Sequence, residues 1–101
     1  MIHSGQTAPA ATSTLTPLRV ENLRGAAVIV QADVNNGAAV RVGNIAGLVD
    51  LITSTTGGTV INPSASVTFP FIGAPGPYDL ALIGVVITNA GDKVNWNLLR
   101  P

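Results

Sequence analysis

Covalent or metal chemistry at neutral pH draws on a small set of side chains, and this chain of 101 residues offers few of them: no Cys and one His, His3. A nucleophilic hydroxyl needs a base within hydrogen-bond reach, most often an imidazole held by a rigid scaffold. His3 stands in the small, polar opening MIHSGQTAPAATST, where no scaffold is expected to hold it. The missing Cys removes thiol catalysis, disulfides and thiolate metal sites. A glycosidase pair would have to come from Glu21, Asp33, Asp50, Asp79 and Asp92. Three of these, Asp33, Asp79 and Asp92, sit in turn contexts, where a carboxylate accepts backbone N–H groups. Asp33-Val34-Asn35-Asn36-Gly37 opens like a calcium loop, but its twelfth position is Asn44 instead of a bidentate Glu. Gly57-Gly58 and the stretch from Gly73 to Gly76 lack the strand, spacing and helix of a phosphate cradle. In Asn62-Pro63-Ser64 the middle proline blocks the glycosylation rule. Trp96 with Tyr78, Phe69 and Phe71 is a thin basis for a sugar platform, and Trp96 alternates with Val94 and Leu98 in a pattern of core packing. No enzyme, cofactor or metal site is therefore expected.

Charge points the same way. Lys and Arg number five against five acids, and Arg19, Arg24, Arg41, Lys93 and Arg100 form no run, so neither nucleic acid nor an anionic membrane surface is an expected partner. Only 10% of residues are charged while 47% are apolar, against about 25% charged in an average soluble domain. A folded chain of this size exposes roughly 5,300 Å², which leaves each charge about 500 Å² of surface to keep soluble. Such a surface is expected to be covered by something. No apolar run approaches the ~20 residues of a membrane span, and the first residues lack the basic and apolar regions of a secretory signal.

The elements that would position any site are short strands. The 29 Val, Ile and Leu fall in runs separated by turn residues at intervals of about 8 to 12 residues, the spacing of an all-β sandwich or barrel. Candidate strands are 18–22, 26–32, 38–42, 48–53, 59–61, 66–71, 80–88 and 93–99. Asn36-Gly37 predicts a type I′ hairpin, since both residues tolerate positive φ. Pro70, Pro75 and Pro77 predict an edge and an irregular excursion. Ile45, Leu48, Val49 and Ile52 have helical spacing, so 44–52 has helix as an alternative to strand. The expected architecture is all-β: a small antiparallel β-sandwich, jelly-roll-like, over residues 15–101, preceded by a flexible or extended N-terminal arm at 1–14. Residues 80–87 carry apolar side chains on both faces, which in a small domain predicts a sandwich on one side and a neighbouring subunit on the other. The interface is thus expected at Ala81, Ile83, Val85 and Ile87, joined by Ile2 and Pro9 of the arm.

Several turn-and-strand motifs together resemble the small structural proteins of tailed-bacteriophage virions, of the decoration (cement) and head-fibre type. They are Val42-Gly43, Pro63 with Ser66-Val67-Thr68-Phe69, Asp79-Leu80 and the apolar strand to Ile87, Ala90-Gly91-Asp92-Lys93-Val94, and the opening LRVENLRG from Leu18 to Gly25. The resemblance spans Leu18 to Leu99. It departs at Ala65, where the group has glycine, and at the Pro/Gly loop from Phe71 to Tyr78. What it implies is a non-enzymatic β-sandwich, commonly a homotrimer, that is made in the host cytoplasm and sits on the outer capsid surface, clamping major capsid protein subunits. A base or shaft component of a head or tail fibre is the alternative, disfavoured because the chain ends at Pro101 directly after its last strand. A carbohydrate-binding module is a second alternative.

Overall fold

The β-branched runs form strands, and their alternation decides which side each side chain takes. In the computed structural model, which describes residues 2–20, 23–46, 51–69 and 78–99 and leaves the side chains of Ile2, His3 and Tyr78 outside the description, ten strands occur in chain order. They are β1 (Ile2–Thr7), β2 (Thr16–Pro17), β3 (Arg24–Gly25), β4 (Ala27–Ala32), β5 (Val40–Asn44), β6 (Thr59–Ile61), β7 (Ser66–Phe69), β8 (Tyr78–Asp79), β9 (Ile83–Val86) and β10 (Val94–Leu99). Eight of them make two four-stranded sheets, ordered β1-β10-β4-β7 and β2-β9-β5-β6, with every pairing antiparallel. The two-residue pair β3-β8 forms a separate ribbon. The all-β antiparallel sandwich is as expected, and no α-helix occurs among the described residues.

One core lies between the sheets. Sheet one contributes Val94, Trp96 and Leu98 of β10, Val28, Val30 and Ala32 of β4 and Phe69 of β7; sheet two contributes Ile83 and Val85 of β9, Val40 and Val42 of β5 and Ile61 of β6. Period-2 alternation in β10 places Asn95 and Asn97 on the opposite face from Trp96. The accessible surface, 5275 Å², matches the roughly 5,300 Å² of a folded chain of this size.

Several expectations change. Residues 2–14 do not stand away from the domain as an arm. β1 pairs along its whole length with β10, from Ile2↔Leu99 to Thr7↔Val94, and Pro9 is buried in its own chain. The opening looks unlike a strand because its inward face covers an aromatic ring. An added Cβ at Gly5 would stand 2.4 Å from the Trp96 ring, so only glycine lets the indole lie against this strand.

Asn36-Gly37 does not close a hairpin. β4 belongs to sheet one and β5 to sheet two, so residues 33–39 arch from one sheet to the other. Neither residue has the positive φ of a type I′ turn. Residues 80–88 are not one strand either: Leu80–Leu82 is a 3₁₀ turn capped by Asp79, and β9 follows it. Pairing near residue 18 falls earlier than expected, at Thr16–Pro17. In the segment weighed between helix and strand, Ile52 N donates to Asn44 O at 2.8 Å and Leu51 bridges Asn44, so its two ends meet side by side. Residues 47–50 lie outside the described residues, as do Pro70, Pro75 and Pro77.

Candidate functional site

Four of the six residues proposed for a subunit contact, Pro9, Ile83, Val85 and Ile87, are buried in their own chain. Ile83, Val85 and Ile87 belong to the core of their own chain, and Ala81 is partly buried in the 3₁₀ turn. The other side of β9 is covered as well. A Cβ at Gly84 would collide with Leu15 and Ile45, whose side chains fold over that glycine. Along β9 the doubly apolar pattern thus records burial within the chain, with Leu15 and Ile45 taking the place expected for a neighbour, while Leu82 in the preceding turn is 48% exposed. Pro9 is buried too, and the side chain of Ile2 lies outside the described residues.

The candidate chemical groups are committed to structure. Asp79 accepts from Ala81 N at 3.0 Å and stands 3.4 Å from Arg24 Nε. Asp33 accepts from Asn35 N at 2.9 Å and from Asn95 Nδ2 at 3.2 Å. Asp92 takes Gly37 N at 2.8 Å on Oδ1 and Ala38 N at 3.2 Å on Oδ2, with Asn89 Nδ2 3.3 Å from Oδ1. All three carboxylates are buried, and all three serve as turn caps, as their sequence contexts suggest. The bonds donated by Asn35 N and then by the Asn95 amide, with Lys93 nearby, hold the Asp33 carboxyl below its ordinary value. No group of three or more metal-ligating side chains occurs among the described residues. Trp96 is 5% exposed with its indole Nε1 buried and unpartnered, so it offers no platform for a sugar.

Asp33 and Asp92 belong to a polar knot at one end of the sandwich. Asn36 reaches across it: Nδ2 donates to Lys93 O and Lys93 N donates to Oδ1, both at 2.8 Å. The carboxamide thus imitates a backbone peptide and hydrogen-bonds to the residue preceding β10 as a strand would. The sequence signal for this knot was present as Asn and Asp clusters, but the partners lie up to 62 residues apart.

The outward face of sheet one has a different character. Gln6, Asn95, Gln31 and Ser66 stand in one row across its four strands, and Ser4, Asn97, Ile29 and Thr68 in the next. Successive strands lie about 4.8 Å apart, so the amides and hydroxyls of the two rows are near neighbours across the sheet. Gln6 Nε2 donates to Asn95 Oδ1 at 2.8 Å within it. Neither row contains a charged residue. Apolar side chains are exposed elsewhere, Val20 at 84%, Val34 at 70% and Val60 at 63%. No helix among the described residues is long and apolar enough to cross a membrane.

Comparison with protein-family models, with curated proteins and with solved structures finds no match.

Proposed function

We propose that this chain is a non-enzymatic structural protein of a phage virion, a decoration or cement protein that binds the outer capsid surface as a homo-oligomer and stabilises it. The observation that carries the reading is the charge-free outer face of sheet one. An exposed four-stranded face with no Lys, Arg, Asp or Glu lacks the usual protection against sheet association, and it suits burial against a protein partner. Its amides and hydroxyls both donate and accept, so they can satisfy a partner's polar groups without a desolvated charge.

Two further features support it. Numbered in chain order with the β3-β8 ribbon set aside, the strands are arranged 1-8-3-6 in one sheet and 2-7-4-5 in the other, the order of a jelly roll, a topology used in viral capsid and lectin domains. Fold alone does not assign function, but the turn-and-strand resemblance to virion proteins points to the same use. The contact surface moves from residues 81–87 to sheet one, and the trimer expected from the resemblance remains the proposed oligomer.

Charge insertion tests this. Asn97→Lys projects a cation from the centre of the face without touching the core, and Thr55→Lys makes the same change on an exposed loop. Asn97→Lys is expected to reduce assembly in a sedimentation experiment while Thr55→Lys leaves it intact. Equal assembly by both variants would remove sheet one from the contact.

A further inference from the structure

Asn36-Gly37 is the one Asn-Gly pair in the chain, and it no longer has a hairpin to explain it. Asn-Gly is chemically the least stable peptide sequence of the common residues, because glycine leaves its own nitrogen free to approach the preceding carboxamide. The backbone nitrogen of Gly37 attacks Cγ of Asn36, a C–N bond forms and ammonia leaves, giving a cyclic succinimide. Water then opens the ring to aspartate or isoaspartate.

The polar knot holds both reacting groups away from this reaction. The Asn36 carboxamide is fixed by two bonds of 2.8 Å to Lys93, the residue that leads into β10 of sheet one. The attacking nitrogen is engaged elsewhere, its N–H donating to Asp92 Oδ1 at 2.8 Å, and the next nitrogen, Ala38 N, is held by Oδ2 of the same carboxylate. Attack requires the carboxamide to leave Lys93 and swing back over Gly37, so all three bonds that fix the pair must open together. Solvent exposure does not limit the reaction, since Gly37 is exposed and Asn36 half-buried; geometry does.

We infer that Asn36 is a latent deamidation site that the folded chain keeps unreactive through Lys93 and Asp92, and that becomes reactive when the knot opens. The product does not fit back. A carboxylate in place of Nδ2 has no hydrogen to give Lys93 O and faces that carbonyl with a negative charge, beside the Asp33 and Asp92 carboxylates. An opened chain is therefore marked irreversibly, and a shell built from long-lived copies retains the mark.

The test is a peptide map of the intact chain, incubated folded and in denaturant in the same mildly alkaline buffer. Trypsin releases residues 25–41, between Arg24 and Arg41, as one peptide carrying the site. With three hydrogen bonds to open, deamidation of Asn36 is expected to be slower in the folded chain by roughly a hundredfold. Equal rates would overturn the inference, and a faster folded rate would show Asp92 acting as a base on Gly37 N instead of a restraint. Asp92→Asn, in chains shown by circular dichroism to be folded, is expected to bring the folded rate toward the denatured one. If that variant fails to fold, the comparison on the unaltered chain still decides.

Discussion

At the scale of single residues, three carboxylates do structural work that their positions announced. Asp92 is the most heavily used, and Asp92→Ala leaves two backbone donors and a side-chain amide without their acceptor. Gly37 and Asn89 are exposed and Ala38 is half-buried, so water takes up part of what the carboxylate accepted, and a loss of about 1–2 kcal/mol is expected in a urea titration. Asp33 gives a pH dependence. Its carboxyl is held below 3.8, first by the Asn35 N–H and then by the Asn95 amide, so its contribution is fully present above 3.8 and lost as pH falls through the lower folded value. Asp33→Asn is therefore expected to flatten the acid limb of a stability-against-pH curve below 3.8, while an unchanged limb would assign acid unfolding to other groups. The caps made by Asp33 and Asp79 were legible because each carboxylate bonds to the backbone two residues on, whereas the Asp92 cap reaches Gly37 and Ala38, 55 and 54 residues away, and only the fold shows it. Asn36 was not legible either, because its partner is Lys93, 57 residues on, and a local motif of Asn and Gly reads as a hairpin until the fold shows which sheet each neighbouring strand joins.

Elements were legible where alternation was strong. β10 follows from its period-2 pattern, and β4, β6 and β7 from short β-branched runs beside turn residues. β1 escaped because its stability resides in backbone pairing and in the Trp96 ring against Gly5, neither of which needs a large aliphatic side chain in β1 itself. Deleting residues 1–7 is accordingly expected to unpair β10 and bare Trp96, lowering stability by about 3 kcal/mol from lost apolar burial alone; a truncated chain as stable as the whole, with unchanged Trp fluorescence, would restore the free arm. Gly5→Val drives a branched side chain into the ring and is expected to cost about 1–3 kcal/mol. The turn joining β6 to β7 makes the opposite prediction. Pro63 leads it, Ala65 N closes it onto Asn62 O, and Ser64 takes φ 72, a left-handed conformation that favours glycine. Ser64→Gly relieves about 1–2 kcal/mol of backbone strain and loses about half of that to greater unfolded-chain freedom, so a small rise in melting temperature is expected.

At the scale of the molecule, low charge is sharper in the structure than in the composition. Among the described residues all three acids are buried and spent on caps, and the two outward rows of sheet one contain no charged residue. The apolar excess of residues 80–87 pointed to a neighbour, but the chain satisfies both sides of β9 itself; a period-2 pattern cannot say whether a covering layer comes from the same chain or another. These uncharged rows were invisible for the complementary reason. Their members come from four strands distant in sequence, and only the register of β1, β10, β4 and β7 sets them side by side. The most direct test of an assembling role is the native mass of the purified full chain over a dilution series. A trimer persisting on dilution is the expected result, and a monomer at every concentration, up to the highest the chain tolerates, would contradict it.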